Sequence, residues 1–168
     1  MQDFPRTLKI VTVWGLIVLA LFVAAQWWLA RQQRPALRLE PTTGASVLVI
    51  PRARDGHYRC PGRVGNLEVD FLVDTGTART SISQSVATQA GLQNFDSAQF
   101  STANGDVTGG LARTNLQLEG GLTLERHVVA VLPRMDDTAL LGMDVLGKLK
   151  IEQSERQLRI SFAPIVQN

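Results

Sequence analysis

A single Asp-Thr-Gly-Thr sequence, residues 74–77, follows directly on the apolar residues 71–73. Over residues 67–71 apolar side chains alternate with charged ones, and the alternation then stops, which predicts a strand that ends inside a core. Gly76 allows two backbones to approach closely where a side chain would not. The sequence therefore predicts that the carboxylate of Asp74 lies in a tight loop at the end of a buried strand.

Short strands are predicted for most of the chain after His57. The dipeptides at 65–66 and 104–105, Gly-Asn and Asn-Gly, are two-residue hairpin signals between strand-like segments. Ser83 and Gly91 fit the start and the end of one brief helix. We predict strands at 58–64, 67–73, 81–83, 99–102, from 107 onward, 115–118, 122–132, 149–151 and 158–162, with the last hairpin turning at 154–155, and helices at 84–90 and about 145–149.

The composition excludes several kinds of site. The net charge of +2 arises from 17 basic and 15 acidic residues that are interspersed, without a basic cluster of the kind that binds nucleic acid. Cys60 is the one cysteine, so an intramolecular disulfide and a thiolate metal cluster are excluded, and we interpret it as a small residue in a strand. His57 and His127 have no metal-ligand spacing, and we interpret each as a surface or half-buried side chain. We expect no metal, no cofactor and no nucleic-acid partner.

Residues 10–30 contain no charge and have the length of about 20 residues that a helix needs to span a bilayer core. Two tryptophans at their end suit the headgroup boundary. We therefore predict an uncleaved transmembrane anchor. The alternative is a cleaved signal peptide, with Arg6 and Lys9 as its charged region. Basic residues flank both sides of the stretch, so charge leaves its orientation open.

The remaining chain divides at its proline-rich segment. Residues 1–9 precede the anchor as a short tail. Residues 31–54 contain Pro35 and Pro41 and are interpreted as a tether, although Ser46 to Ile50 can also pair as a strand. Residues 55–168 are predicted to form one domain.

Peptide hydrolysis without a metal or a covalent nucleophile requires one group that takes a proton from water and another that gives a proton to the substrate. Two carboxylates about 3 Å apart can do this, because like charges so close cannot both ionise and therefore share a proton. Thr75 and Thr77 carry hydroxyls that can brace the loop and donate to the carboxylate. Since the chain has one such sequence, the second carboxylate has to come from a second copy in a two-fold dimer. The alternative reading of the triplet is an ordinary strand-ending turn.

Residues 71–77, 102–105 and 140–144 resemble the retropepsin-like aspartic proteases, and most closely their bacterial membrane-anchored branch. The resemblance extends over about residues 55–163. It implies a mainly β fold, a single acid-protease lobe built as a closed β-barrel or sandwich with one or two short helices.

The resemblance also implies a role for each motif. Asp74 would be the catalytic aspartate, Thr75, Gly76 and Thr77 would support its loop, Ala103, Asn104 and Gly105 would form the flap over the substrate, and Leu140, Leu141 and Gly142 would form the hydrophobic-Gly element beneath the loop. The sequence departs from the family pattern in two places. Thr77 stands where retroviral enzymes usually have alanine, and the flap offers no tyrosine.

The sequence thus predicts a membrane-anchored aspartic endopeptidase, active as a homodimer on extended segments of envelope proteins. The resemblance implies a single-pass protein of the bacterial inner membrane, held through residues 10–30, with its catalytic domain in the periplasm. A non-catalytic peptide-binding or dimerisation module with the same fold is the alternative, although binding alone requires no Asp-Thr-Gly sequence. A glycosidase with two carboxylates in one chain lacks a second acid in a comparable context.

Overall fold

The computed structural model describes residues 6–32, 37–42, 45–93, 95–102, 105–133, 135–136 and 138–162. The chain divides into two compact units, Met1–Pro35 and Ala36–Asn168. The first unit contains helix α1, Arg6–Gln32. The second unit contains every strand of the described chain.

Helix α1 covers the range for which the sequence predicts a membrane anchor. A bilayer core of roughly 30 Å requires about 20 consecutive, predominantly apolar helical residues. In the described part of the chain, no helix combines the length and the apolarity needed to cross a membrane. The structure therefore does not bear out the spanning helix predicted for residues 10–30.

Within the described residues, six strands of the second unit close into a barrel. The closure occurs because β3 pairs with β4 on one side and with β7 on the other. The predicted mainly β, closed-barrel fold is confirmed. The barrel strands are β3 (Arg59–Val64), β4 (Leu67–Val73), β5 (Ser81–Ser83), β7 (Gly105–Leu118), β8 (Thr123–Leu132) and β9 (Ala139–Leu141), and β6 (Asp96–Thr102) extends the sheet beyond β7.

Local sequence signals determine the first hairpin and the first short helix of the barrel. Gly65 adopts φ +58°, and β3 and β4 pair in register on either side of the turn, as the Gly-Asn signal predicts. Helix α2 (Gln84–Gln89) begins where the Ser83 hydroxyl accepts a hydrogen bond from the backbone N–H of Val86 at 3.1 Å. The helix is followed by Gly91 at φ +72°, also as predicted.

A separate sheet of four described strands contains part of the range predicted as a tether. Its order is β1 (Arg38–Thr42), β2 (Ala45–Pro51), β11 (Gln157–Phe162) and β10 (Lys150–Ser154), all antiparallel. Residues 47–50 of β2 are all buried, and Arg159 donates to the Glu40 carboxylate at 2.6 Å across β2. Residues 38–42 and 45–51 of the predicted tether are thus strands, and the alternative that Ser46 to Ile50 pair as a strand is confirmed. Pro41 lies in an edge strand, where proline is tolerated.

Three further elements differ in extent from their predictions. Helix α3 is Met143–Leu146, earlier than the predicted 145–149, because it starts directly after Gly142. The strand predicted at 115–118 is the end of the longer β7. The turn between β10 and β11 lies at Glu155 and Arg156, which adopt φ +47° and +64°, a conformation that their side chains do not signal.

The two sheets share one hydrophobic core in the described part of the chain. Its buried members come from both sheets, among them Leu48, Ile160, Phe71 and Val129. Cys60 belongs to this core with no exposed surface, and burial raises the pKa of its thiol to about 12. The prediction of Cys60 as a small residue in a strand is confirmed.

We expect the Cys60 thiol of the native protein to react with a chromogenic disulfide reagent at pH 8 roughly a hundredfold or more slowly than in the urea-unfolded chain, because the thiolate is the reactive form and burial disfavours it. Absorbance of the released thiol measures both rates. Since the chain has one cysteine, the signal has one source. Equal rates in the two states would contradict the burial of this residue.

Candidate active site

Asp74 is positioned by the parallel pairing of β4 with β9. Val73 lies opposite Leu141 in that pairing. The backbone N–H of Asp74 donates to the carbonyl of Leu141 at 3.1 Å, and the N–H of Val73 donates to the carbonyl of Tyr58 at 2.9 Å. The residue that leaves the strand is therefore fixed to the neighbouring strands by its own backbone, as expected for the end of a buried strand.

The side chain of Asp74 is oriented by two hydrogen bonds from its own loop. The backbone N–H of Gly76 donates to Oδ1 at 2.9 Å, and the hydroxyl of Thr77 donates to Oδ2 at 2.6 Å. Each carboxylate oxygen thus has one donor and keeps further acceptor capacity. Thr75 is exposed, and its hydroxyl makes no hydrogen bond to a described residue, so of the two predicted bracing threonines Thr77 contacts the carboxylate.

Residues 74–80, here called the Asp74 loop, lie directly against the segment that follows β9. The N–H groups of Met143 and Asp144 donate to the carbonyls of Thr77 and Ala78 at 2.8 and 3.0 Å. A Cβ on Gly142 would lie 2.5 Å from the carbonyl carbon of Arg79, so the close approach requires glycine here. The structure therefore places the predicted element Leu140, Leu141 and Gly142 beneath the loop.

The carboxylate of Asp144 joins this segment to the loop a second time. Its Oδ1 accepts from both the N–H and the hydroxyl of Thr80, each at 2.8 Å, and its Oδ2 lies 2.9 Å from Nε2 of His127. Thr80 is completely buried, and its hydroxyl also accepts from the N–H of Gly142 at 3.2 Å. Thr80 and Asp144 are far apart in the sequence. The sequence therefore does not signal this contact, and it predicts His127 only as a surface or half-buried side chain.

Asp74 faces a cleft with a volume of about 880 Å³. One wall is the Asp74 loop, and another is the hairpin formed by β6 and the first half of β7. The apolar side chains that line the cleft are Ala78, Phe100, Val107, Leu132, Met135 and Leu140. Apolar atoms thus make up most of the surface of the cleft, and the carboxylate of Asp74 lies among several polar side chains.

The hairpin of β6 and β7, here called the flap hairpin, occupies the position predicted for the flap. Its arms pair in register from Asp96 opposite Leu111 to Thr102 opposite Gly105. The hydroxyl of Thr102 donates to the carbonyl of Gly105 at 2.7 Å, and Gly105 adopts φ +101°. Of the predicted flap residues, Gly105 lines the cleft, whereas Ala103 and Asn104 lie outside the described residues.

The sequence of this region matches a known family. The profile described as gag-polyprotein putative aspartyl protease matches residues 60–148, which is more than half of the chain. The chain belongs to this family. The match extends from the second residue of β3 past the end of β9 and therefore includes the Asp74 loop and the segment that fixes it.

One solved structure shows the same fold, and a second is similar over a smaller part of the chain. The crystal structure of a retropepsin-like aspartic protease from Rickettsia conorii has a TM-score of 0.62 and 22% identity, and the alignment covers 77% of this chain and 97% of the other. The retroviral protease-like domain of Ddi1 from Leishmania major has a TM-score of 0.46 and 18% identity, over 56% of this chain and 78% of that domain. A search of curated proteins gave no match. The chain is thus retropepsin-like in fold.

We expect Asp144→Ala to lower the free energy of unfolding by about 2–4 kcal/mol, because it leaves the buried N–H and hydroxyl of Thr80 without their acceptor. Urea titration of the full chain measures the change. Asp144→Asn keeps an oxygen that can accept from Thr80, so it should lower the free energy of unfolding by less than Asp144→Ala does.

The matched control is Asp96→Ala, which removes an exposed carboxylate without an ion pair to any described residue and should cost less than about 0.5 kcal/mol. Similar losses for the substitutions at Asp144 and Asp96 would show that the contacts with Thr80 contribute no stability.

Proposed function

We propose that this protein is an aspartic endopeptidase that acts as a homodimer, in which the Asp74 side chains of the two copies form the catalytic pair. The observation that carries the proposal is the single oriented carboxylate of Asp74, held by Gly76 and Thr77 at the wall of a peptide-sized cleft. Membership of the aspartyl protease family supports the same assignment.

The chemistry follows from two such carboxylates sharing one proton. The ionised carboxylate takes a proton from water while the water oxygen bonds to the carbonyl carbon of the peptide, and the protonated partner gives its proton to the carbonyl oxygen. The C–N bond then breaks as the amine nitrogen receives a proton, which releases an acid and an amine. Gly76 and Thr77 hold each carboxylate in one orientation, so that both oxygens keep a free acceptor position.

The need for a second copy rests on the acids that line the cleft. Among the described lining residues, the acidic ones are Asp74 and Asp106. Asp106 belongs to the flap hairpin, where its Oδ1 accepts from the Ser101 hydroxyl at 2.7 Å. It follows no buried strand and lies in no tight loop comparable to that of Asp74. A two-fold axis that brings two Asp74 loops together supplies the missing partner.

An extended peptide suits the cleft between the Asp74 loop and the flap hairpin, because strand-like backbone hydrogen bonds and pockets for alternate side chains are a common mode of recognition. The apolar lining favours apolar side chains near the bond that is cleaved. Envelope proteins as substrates, and a periplasmic location at the bacterial inner membrane, stay predictions from the sequence. A reporter enzyme fused after Asn168 would test the location.

We expect Asp74→Asn to reduce the cleavage of a mixed peptide library by at least roughly a thousandfold at every pH from 4 to 8, because the variant lacks the group that exchanges protons with water. Mass spectrometry of the products measures the cleavage. Asp106→Asn is the matched control and should keep most of the activity. Equal cleavage by the wild type and Asp74→Asn would refute the protease assignment.

Mixing the two proteins tests the shared site. Random pairing of equal amounts of wild type and Asp74→Asn leaves about a quarter of the dimers with two Asp74 carboxylates. Activity per wild-type chain should therefore fall by about half, measured at constant total concentration after exchange of subunits. An unchanged activity per wild-type chain would show that one copy suffices.

A further inference from the structure

Arg79 is the cation in the described lining of the cleft. Its side chain is exposed and makes no ion pair with any described residue. From this placement we propose that Arg79 selects substrates with an acidic side chain, Asp or Glu, within a few residues of the cleaved bond. The proposal rests on the proposed function in that it takes a peptide as the ligand of the cleft.

The backbone of Arg79 is fixed on both sides. The carbonyl of Ala78 accepts from the N–H of Asp144 at 3.0 Å, and the N–H of Thr80 donates to the Asp144 carboxylate at 2.8 Å. The carbonyl of Arg79 itself accepts from the hydroxyl of Ser81 at 2.9 Å. The guanidinium therefore extends from a fixed segment five residues after Asp74, and its reach from that backbone is limited to the length of one side chain.

The glycine beneath this segment strengthens the same conclusion. A Cβ on Gly142 would lie 2.5 Å from the carbonyl carbon and 2.8 Å from the carbonyl oxygen of Arg79. The backbone has no room to move toward the barrel at this position. Sites built on rigid elements place a recognition group more precisely than sites on mobile loops.

The chemistry of the guanidinium favours a carboxylate as its partner. Phe100, Val107 and Leu132 line the same cleft and offer apolar surface to the neighbouring side chains of a peptide. A guanidinium presents a planar set of donors that matches the two oxygens of a carboxylate. In an extended peptide, alternate side chains point to the same face, so one acidic residue can reach Arg79 while its neighbours face the apolar wall.

Besides Arg79, the charged residues in the described lining of the cleft are Asp74 and Asp106. Asp106 lies on the flap hairpin, and one of its carboxylate oxygens already accepts from Ser101. An internal pair between Arg79 and Asp106 would be a latch of the flap hairpin instead of a specificity element. The two arrangements predict different results. If Arg79 is part of a latch, its substitution changes the affinity of every peptide by the same factor. If Arg79 is a specificity element, its substitution changes the order of affinity among peptides that differ in charge.

The test measures peptide binding and cleavage in parallel with the full chain. The probes are fluorescent decapeptides with two central apolar residues and Glu, Gln or Lys placed at each flanking position in turn. Binding is measured by fluorescence anisotropy with the Asp74→Asn protein, either alone or combined with a second substitution. Cleavage is measured with the proteins that keep Asp74, with and without the same second substitution. At one position or more, we expect the Glu peptide to bind about fivefold more tightly than the Lys peptide, the size of effect that an exposed ion pair supports. The preference should shrink as salt rises.

Arg79→Glu should reverse the order of the Glu and Lys peptides, and Arg79→Gln should abolish the preference. The matched control is Arg113→Glu, which makes the same charge change at an exposed position of β7 outside the cleft and should keep the wild-type order. The proposal is overturned if the Glu and Lys peptides rank in the same order of affinity with and without the Arg79→Glu substitution. It is also overturned if no peptide binds. A uniform change for all peptides, shared by Asp106→Asn, overturns it in favour of the latch.

The two readouts separate this inference from the proposed function. Selective binding of Glu peptides without cleavage by the wild type would refute the protease assignment and leave the role of Arg79 intact. Cleavage that depends on Asp74 but shows no charge preference would refute the role of Arg79 and leave the protease assignment intact.

Discussion

The carboxylate of Asp144 makes the contacts on which the geometry of the cleft depends. It accepts from the backbone and the hydroxyl of Thr80, and its own backbone donates to Ala78, so one residue fixes both ends of the segment that carries Arg79. A buried donor without an acceptor costs more than a typical hydrogen bond contributes, so this segment is held in place chiefly by the penalty for releasing Thr80. His127 contacts the other oxygen of Asp144 and thereby ties β8 to the same point.

Strand β7 connects the two walls of the cleft. Its first half pairs with β6 in the flap hairpin, and its second half pairs with β8 and β3 in the barrel. The two halves overlap at residues 110 and 111, which have partners on both sides. Gly110 is buried against Phe95, so the overlap is tightly packed. The flap hairpin is thus the continuation of a barrel strand, and the orientation of β7 in the barrel determines the direction of the hairpin.

The sequence predicts those parts of the fold that depend on neighbours in the chain. The hydrogen bonds from Gly76 and Thr77 to the Asp74 carboxylate, the turn at Gly65 and the cap at Ser83 involve residues a few positions apart, and local patterns identify them. The contact between Thr80 and Asp144 joins residues 64 positions apart, and no local sequence pattern near either residue predicts it.

The same reasoning explains the errors. Strand β2 obtains its second neighbour, β11, from a segment more than 100 residues later, so the sequence left residues 46–50 open between a tether and a strand. The turn at Glu155 and Arg156 contains no glycine, which shifted its predicted position by one residue. The stretch at 10–30 was predicted to span a membrane from its lack of charge, its length and its terminal tryptophans, and the described helix does not meet the requirement for a span.

The pairing of β2 with β11 has a consequence for the order of events during synthesis. Strand β2 emerges from the ribosome early, but its inner neighbour ends at Phe162, near the end of the chain. The segment that fixes the Asp74 loop, residues 141–144, is also synthesised late. Contacts between distant parts of a chain form only after both have been made. A nascent or truncated chain therefore contains Asp74 before the contacts that position its carboxylate have formed. The synthesis of this residue and the completion of its site are separate events.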